Sequence, residues 1–469
     1  MPTASWSMRG EGPPAAPSRV LVVGAGMAGL VAARLLRDSG IAVIVVEARD
    51  RIGGRLWTDE SMGAPLDLGG SWIHGADDNP LSEWCAALGV ELVESAAWRR
   101  FIEPGTSLAD YADAARRAWR GRWALAVAMH LGALRAAWAA RRGRPRAVSL
   151  ADVVEPLLDA WWLPEFDRRL VAQIVSSGEG VQGAPAARLA IEEWFPADAF
   201  KVNAMPRGGY RALLDDAARG LEIRLSTPMT RLEWDGAGVV ASTPSGELRA
   251  DRAIVTLPVG LLRDGAIAFS PPLPDDQRAA LSRIGYGGDA VLGKIFLRFE
   301  RRFWPADAER FQSLPPTPRG RGVFTTWLSL ERETGALILS SFANGAAAAR
   351  FDLDRSEEEV RDAALVSLRR LFGSDVPMPS AWRYTRWLSD PWARGSYSYP
   401  AVGSPPEDRA LHARPLGGRV FFAGEATETG DYGTVQAALK SGERAAEAVF
   451  RAGGGVEPDR AARPWRFRG

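Results

Sequence analysis

Apolar residues run unbroken from Val20 to Val23, stop at Gly24, and recur at helical spacing from Met27 to Leu36; a second apolar run ends at Val46. That order predicts a strand, a glycine-rich turn, a helix closed by Gly40 and a second strand, a βαβ unit over residues 20–50. From 108 to 194 Ala, Leu, Arg and Trp return every three or four residues, which predicts an inserted block of helices. Short β-rich runs follow at 227–234, 238–243 and 252–258, separated by Gly, Pro and Ser, and predict a hairpin or meander feeding a third strand. VLGKIFLRF, GVFTTWLSL and ALILSSF, between 291 and 345, predict a second sheet. Ser356 with Glu359 three residues later opens an amphipathic helix over 356–372 as a capping box. Residues 419–427 read as a strand ending in glycine and 435–452 as a helix. The terminal stretches 1–17 and 453–469 read as disordered, and no internal repeat is present.

The 469 residues, 46% hydrophobic and 25% charged, suffice for two large domains or about three smaller ones. A net charge of +1 provides no global field for nucleic acid. One cysteine, Cys85, and three histidines, His74, His130 and His412, exclude a disulfide framework and a Cys/His zinc site. With no unbroken apolar run of membrane-spanning length and no hydrophobic leader in the first residues, the expectation is a cytoplasmic protein. Only three of the 58 basic residues are lysines (Lys201, Lys294 and Lys440), so each is a rare choice. Between Asp113 and Arg146 stand nine arginines and one acid around an apolar stretch. Such a segment suits weak peripheral contact with an anionic membrane or an acidic partner; a solvated helical face is the favoured alternative.

Gly24, Gly26 and Gly29 form G-x-G-x-x-G between strand and helix, with Met27 and Ala28 inside the motif and Glu47 closing the second strand. The first glycine permits the tight turn, the second admits a pyrophosphate to the backbone, and the third lets helix pack on strand. The helix start favours the anion, and an acid at 47 accepts hydrogen bonds from a ribose. Turn glycines alone also produce the pattern, but here strand, helix and acid are all in place.

Further on come RIGGR (51–55), LDLGGSWIHG (66–75), MPRGGYRALLDDAARGLEIRLSTPMTRLEW, GKIFLRFERRFW, TRWLSDPWARGSYSY and FFAGEATETGDYGTVQAALKSGERAAE. Together, from about Val20 to Phe450, they resemble the flavin-dependent amine oxidases, within them the polyamine oxidase and lysine-specific histone demethylase branch. The resemblance implies an α/β fold with a Rossmann-like FAD domain built from residues 18–98, 203–266 and 407–452. A substrate domain of mixed sheet and helices would comprise 99–202 and 267–406. It implies FAD contacts at Ala48, Arg49, Gly53, Gly54, Arg55, Gly69, Gly70, Ser71, Trp72, Met229, Trp387, Trp392, Gly424, Glu425, Thr434 and Val435, besides the turn. Glu425 would meet the ribityl and phosphate; a helix-capping acid is the plainer alternative. The helix starting near Thr434 would stabilise negative charge at the flavin pyrimidine edge.

Lys294 interrupts an apolar strand, where a charge is expensive without a partner. By resemblance it holds a water beside flavin N5; otherwise it is a cation on the solvent face of an edge strand. Trp387, Trp392, Tyr397 and Tyr399 crowd one segment, a pattern that ordinarily means core. By resemblance Tyr397 flanks the flavin face where the amine binds. Monoamine oxidases pair it with a second tyrosine, where this chain has Thr434, counted by that position as a catalytic candidate, and attach FAD through a preceding cysteine, where it has Ser396. A noncovalent FAD and a polyamine-type site are thereby implied. His74 would accept a hydrogen bond from the amine or keep it deprotonated, or is simply a satisfied structural histidine. Glu179 is a candidate for a distal ammonium.

The implied activity is transfer of hydride from an amine α-carbon to flavin N5, giving an imine, with O2 reoxidising the flavin to H2O2. Alternatives are an L-amino-acid oxidase, for which GSWIHG supplies no arginine clamp, a biosynthetic oxidase forming an iminium for cyclisation, and a non-catalytic Rossmann-type binding module. The partners expected are a small-molecule amine and O2, with a homodimer possible.

Overall fold

Val420–Phe422, Arg252–Val255, Arg19–Val23, Ala42–Val46 and Glu222–Arg224 lie side by side, all parallel, in a computed structural model that describes residues 17–95, 100–104, 111–144, 146–193 and 202–453. Apart from Pro17 and Gly453, the terminal stretches expected to be disordered lie outside the described residues. The sheet is an α/β Rossmann-like one assembled from widely separated stretches of chain. Its central strand is buried on both faces from Val20 to Val23, which is why it reads as one continuous apolar run rather than an alternation. The helices Met27–Asp38 and Val435–Ala452 pack together on one face. They approach so closely that a Cβ on Gly442 would lie 2.4 Å from the carbonyl oxygen of Ala28. On the other face a four-stranded sheet joins Leu232, Val239 and Ala241 to Leu21, Val23 and Phe422. One of its strands, Gly246–Ala250, has no counterpart in the sequence reading, because its GELRA side chains are largely exposed and carry no apolar alternation.

The second sheet has six strands in the order Ala381–Tyr384, Leu292–Arg298, Ile338–Asn344, Val323–Ser329, Arg310–Gln312 and Arg100–Phe101. The strand carrying Lys294 is therefore interior, paired antiparallel on both sides, and the edge-strand alternative is excluded. Helix Glu357–Phe372 starts at the expected capping box and lays Val360, Ala364, Leu365 and Leu368 on this sheet. The block of helices comprises Tyr111–Arg117, Trp119–Ala140, Ala151–Leu158 and Glu165–Gln182, the last of which touches the strand Ile338–Asn344.

One surface reading needs correction. Arg146 does not belong to the exposed basic stretch: it is buried, donating to the Ser404 carbonyl and pairing with Glu193. The helix Trp119–Ala140 is long and apolar enough by length and composition to cross a membrane, although Arg120, Arg122 and Arg135 interrupt it so that it forms no unbroken apolar run.

His412 is buried against Phe422, at 5.8 Å between ring centroids. Burial, then the nearby Arg444 and Arg409, push its imidazole down to about 4 from 6.5. The unfolded chain thus binds the extra proton first. Stability is complete above the unfolded value and is lost as pH falls towards the folded one, by about 2 kcal/mol between pH 7 and pH 5. Urea midpoints at the two pH values should show this loss, and His412→Gln should remove most of it; an equal loss in the variant would assign the acid sensitivity elsewhere.

Candidate active site

A single cavity of about 2040 Å³ runs from the first turn of the parallel sheet to the second sheet and the helical block. Every cofactor-site residue expected from the sequence lies on its wall except Gly29. That glycine has the packing role assigned to it, since a Cβ there would lie 1.9 Å from the Gly24 carbonyl oxygen. The helix begun by Gly26 has no side-chain cap and no acid in its first turn, so its leading amides are open to an anion from the cavity. Glu47 accepts from the Ala25 and Arg49 backbone amides, at 2.8 and 2.9 Å. A carboxylate has about four lone-pair sites, so acceptor capacity is left for ribose hydroxyls. The residues fit the pyrophosphate and one ribose of a dinucleotide such as FAD.

Deeper in, Glu425 gathers three other stretches of chain. Its carboxylate accepts from Arg55 (2.8 Å), the Ser398 amide and hydroxyl (3.2 and 2.6 Å) and the Gly433 amide (2.8 Å). Arg409 in turn donates to the Ser398 hydroxyl at 2.7 Å. Burial alone would raise this carboxyl; Arg55 and Arg409 hold it below the usual range. The capping alternative is not what the geometry shows, since Thr434 caps the Val435–Ala452 helix and Glu425 instead holds the cavity wall together as an ionised carboxylate.

Lys294 is buried with its Nζ over the Trp72 ring, 5.1 Å from the centroid. It lies 3.2 Å from the Asp67 carbonyl oxygen and 2.5 Å from both the Gly69 carbonyl oxygen and the Ser71 hydroxyl. Burial drives the amine down and the Asp67 carboxyl up, each opposed by the other's charge. These three acceptors match the three N–H groups of an ammonium. To hold a water as well, Nζ must release one of them.

Tyr397 donates its hydroxyl to the Gly180 or Val181 carbonyl, both at 3.0 Å, and its ring fills the space a Cβ on Gly183 or Gly433 would need. Trp387 is fixed by a bond to the Leu68 carbonyl at 3.1 Å, while Trp392 is 36% exposed. Tyr399 is core, packed in the helical block. The Thr434 hydroxyl is committed to the helix start, accepting from the Ala437 amide at 3.1 Å and donating to the Asp431 carbonyl at 2.6 Å. It is a cap on the cavity wall rather than a reacting group. His74 lines the cavity with Nδ1 2.9 Å from Asn203 Oδ1.

Glu179 does not line the cavity: burial raises its carboxyl, and Arg321 and the Ala186 amide satisfy it. The sequence reading also missed the polar far end formed by Gln173, Arg310, Gln312, Thr325, Thr326 and Asn344. These lie on strands and a helix far apart in the chain, with no local motif to mark them. Arg310 is one of them, its guanidinium pushed down to about 10 by burial.

A family model described as flavin containing amine oxidoreductase matches residues 27–450. The chain is 31% identical over 454 residues to polyamine oxidase 4 of Oryza sativa subsp. japonica, covering 92% of this chain and 88% of that protein. It is 30% identical over 447 residues to human lysine-specific histone demethylase 2, but spans only 53% of that protein's length. A solved structure of putrescine oxidase bound to putrescine superposes with a TM-score of 0.71 at 24% identity, covering 92% of this chain and 98% of that one, a likeness of fold. The match across nearly the whole chain, on a fold whose first turn and cavity suit a flavin dinucleotide, means that this protein belongs to the flavin-containing amine oxidoreductase family and that its cofactor is FAD.

Proposed function

We propose that the protein oxidises a small-molecule amine at its α-carbon to an imine, which water then hydrolyses. The observation that carries this reading is the continuity of one cavity from Glu47, past Lys294 and Tyr397, to His74 and the polar far end. FAD, when bound, supplies the hydride acceptor at N5 and passes the electrons to O2 as H2O2. The chain's own part is to bind, orient and tune. The first-turn amides and Glu47 would hold the pyrophosphate and ribose. The start of the Val435–Ala452 helix, on the cavity wall and without acids in its first turn, favours negative charge beside it. Tyr397 presents a fixed aromatic wall to the amine, and His74, oriented by Asn203, is placed to take a proton from it. Lys294 locks the Asp67–Ser71 loop and brings a titratable amine into a water-poor site.

The far end suits an amine with a second polar group, since Gln173, Gln312 and Asn344 offer both donors and acceptors. The half-buried Arg310 favours a second reading, an L-amino-acid oxidase with the carboxylate held there. Anaerobic mixing with diamines, polyamines, aryl-alkylamines and L-amino acids, read as bleaching of the flavin band, separates the two. A purified protein without flavin, or one that no amine bleaches, overturns the proposal.

FAD should leave the polypeptide on acid precipitation, because Ser396 lines the cavity where a thiol linkage would form and the buried Cys85 does not reach the cavity wall. Flavin that remains with the precipitate would refute this. Glu47→Gln removes the charge from a buried acceptor and should weaken FAD binding by about 2 kcal/mol, roughly thirtyfold. Fluorescence titration of the apoprotein measures it; an unchanged affinity would confine Glu47 to bracing the turn.

Lys294→Met should retain FAD yet slow flavin reduction or reoxidation by on the order of a hundredfold, the cost of losing a positioned polar catalyst. The pH profile of the wild-type step should carry a limb below the ordinary lysine range, absent in the variant. Stopped-flow traces of both half-reactions test this. Rates within about threefold of wild type, under roughly 1 kcal/mol in barrier, would leave Lys294 a structural cation.

A further inference from the structure

The helical block leaves one long face without a covering among the described residues. Helix Trp119–Ala140 buries Gly121, Ala124, Leu125, Gly132, Ala136 and Ala139 towards Ala151–Leu158 and Glu165–Gln182. The close fit depends on those small residues: a Cβ on Gly132 would lie 2.6 Å from Val153. Its opposite side shows Trp119, Trp123, Val127, Leu131, Leu134 and Trp138, spaced three or four residues apart. All but Val127 are more than half exposed. Such a stripe is unusual on a surface that meets only water.

Charge decides what covers it. Residues 119–140 contain no acid, while Arg120, Arg122 and Arg135 are exposed on the same helix, and Arg116, Arg117, Arg141, Arg142 and Arg144 continue the positive charge beyond both ends. At the ends the guanidiniums lie over the terminal indoles, Arg120 at 5.5 Å from the Trp119 ring and Arg142 at 3.5 Å from that of Trp138. An indole with a cation above it suits the boundary between headgroups and acyl chains. Crossing a bilayer would expose to lipid a side already packed on two helices, so the helix lies in the interface plane. A second copy is disfavoured, because a twofold contact would bring this arginine set against itself.

We propose that the face formed by Trp119, Trp123, Leu131, Leu134 and Trp138, with its arginine rim, docks on a bilayer bearing anionic lipid headgroups. The test is flotation of the FAD-loaded protein with vesicles of phosphatidylcholine alone or mixed equally with phosphatidylglycerol. Binding is expected on the mixed vesicles, with a blue shift of tryptophan emission, and is expected to weaken, without vanishing, at high salt. The triple variant Arg120→Gln, Arg122→Gln, Arg135→Gln should bind about a hundredfold more weakly, at about fivefold per arginine near the surface. The variant Trp123→Ala, Leu131→Ala, Trp138→Ala should lose the blue shift and the binding that survives salt. None of these six side chains lines the cavity, so FAD content should stay unchanged and report intact folding. No binding to the mixed vesicles, equal binding to both vesicle types, or indifference to both variants overturns the proposal. A dimer in sedimentation that the aromatic variant splits into monomers also overturns it and assigns the face to a second copy.

Discussion

The buried Glu425 carboxylate is the constraint on which the site depends. It is ionised in a place that burial alone would make costly, and it is tolerated because Arg55, Ser398 and Gly433 direct donors at it, with Arg409 behind Ser398. Removing one partner of such a pair leaves an uncompensated buried charge, at about 3–5 kcal/mol. The consequence is geometric. The RIGGR turn, the segment carrying Tyr397 and the start of the Val435–Ala452 helix are held against one another, and these three pieces form much of the cavity wall.

Lys294 makes a second joint of the same kind between the two sheets. Its strand belongs to the six-stranded sheet, while its amine holds the Asp67–Ser71 loop that follows the Rossmann-like unit. A compact ammonium with three donors fits those three closely spaced oxygens; the planar fork of an arginine does not, which accounts for a lysine in a chain that otherwise uses arginine. The same saturation links structure to chemistry, because any water Nζ holds must displace part of the lock.

The helical block contributes at two scales. On its inner side Gln173, Ile174, Ser177 and Val181 close the cavity, so the shape open to a substrate is set by how this block sits on the second sheet. On its outer side the same block presents an apolar, arginine-rimmed stripe, so one insertion both shapes the pocket and fixes the character of the surface.

The sequence by itself determined the elements whose signals are local. The βαβ turn, the Ser356 capping box and the helix after Thr434 all stand where spacing and composition put them, because turn glycines, caps and apolar periodicity act within a few residues. The motif residues that line the cavity were equally legible, since they lie in short contiguous runs. The tertiary structure decided what depends on distant neighbours. Glu179 reads as an open acid until Arg321, far along the chain, satisfies it; Arg146 reads as surface until Ser404 and Glu193 enclose it. Thr434 reads as a possible reacting group until its hydroxyl is tied into a cap. Arg310, Gln312 and Gln173 carry no mark in sequence, because only the pairing of strands and the docking of a helix bring them to one wall. Burial, charge compensation and cavity shape are sums over residues far apart in the chain, and they come into existence only when the chain is folded.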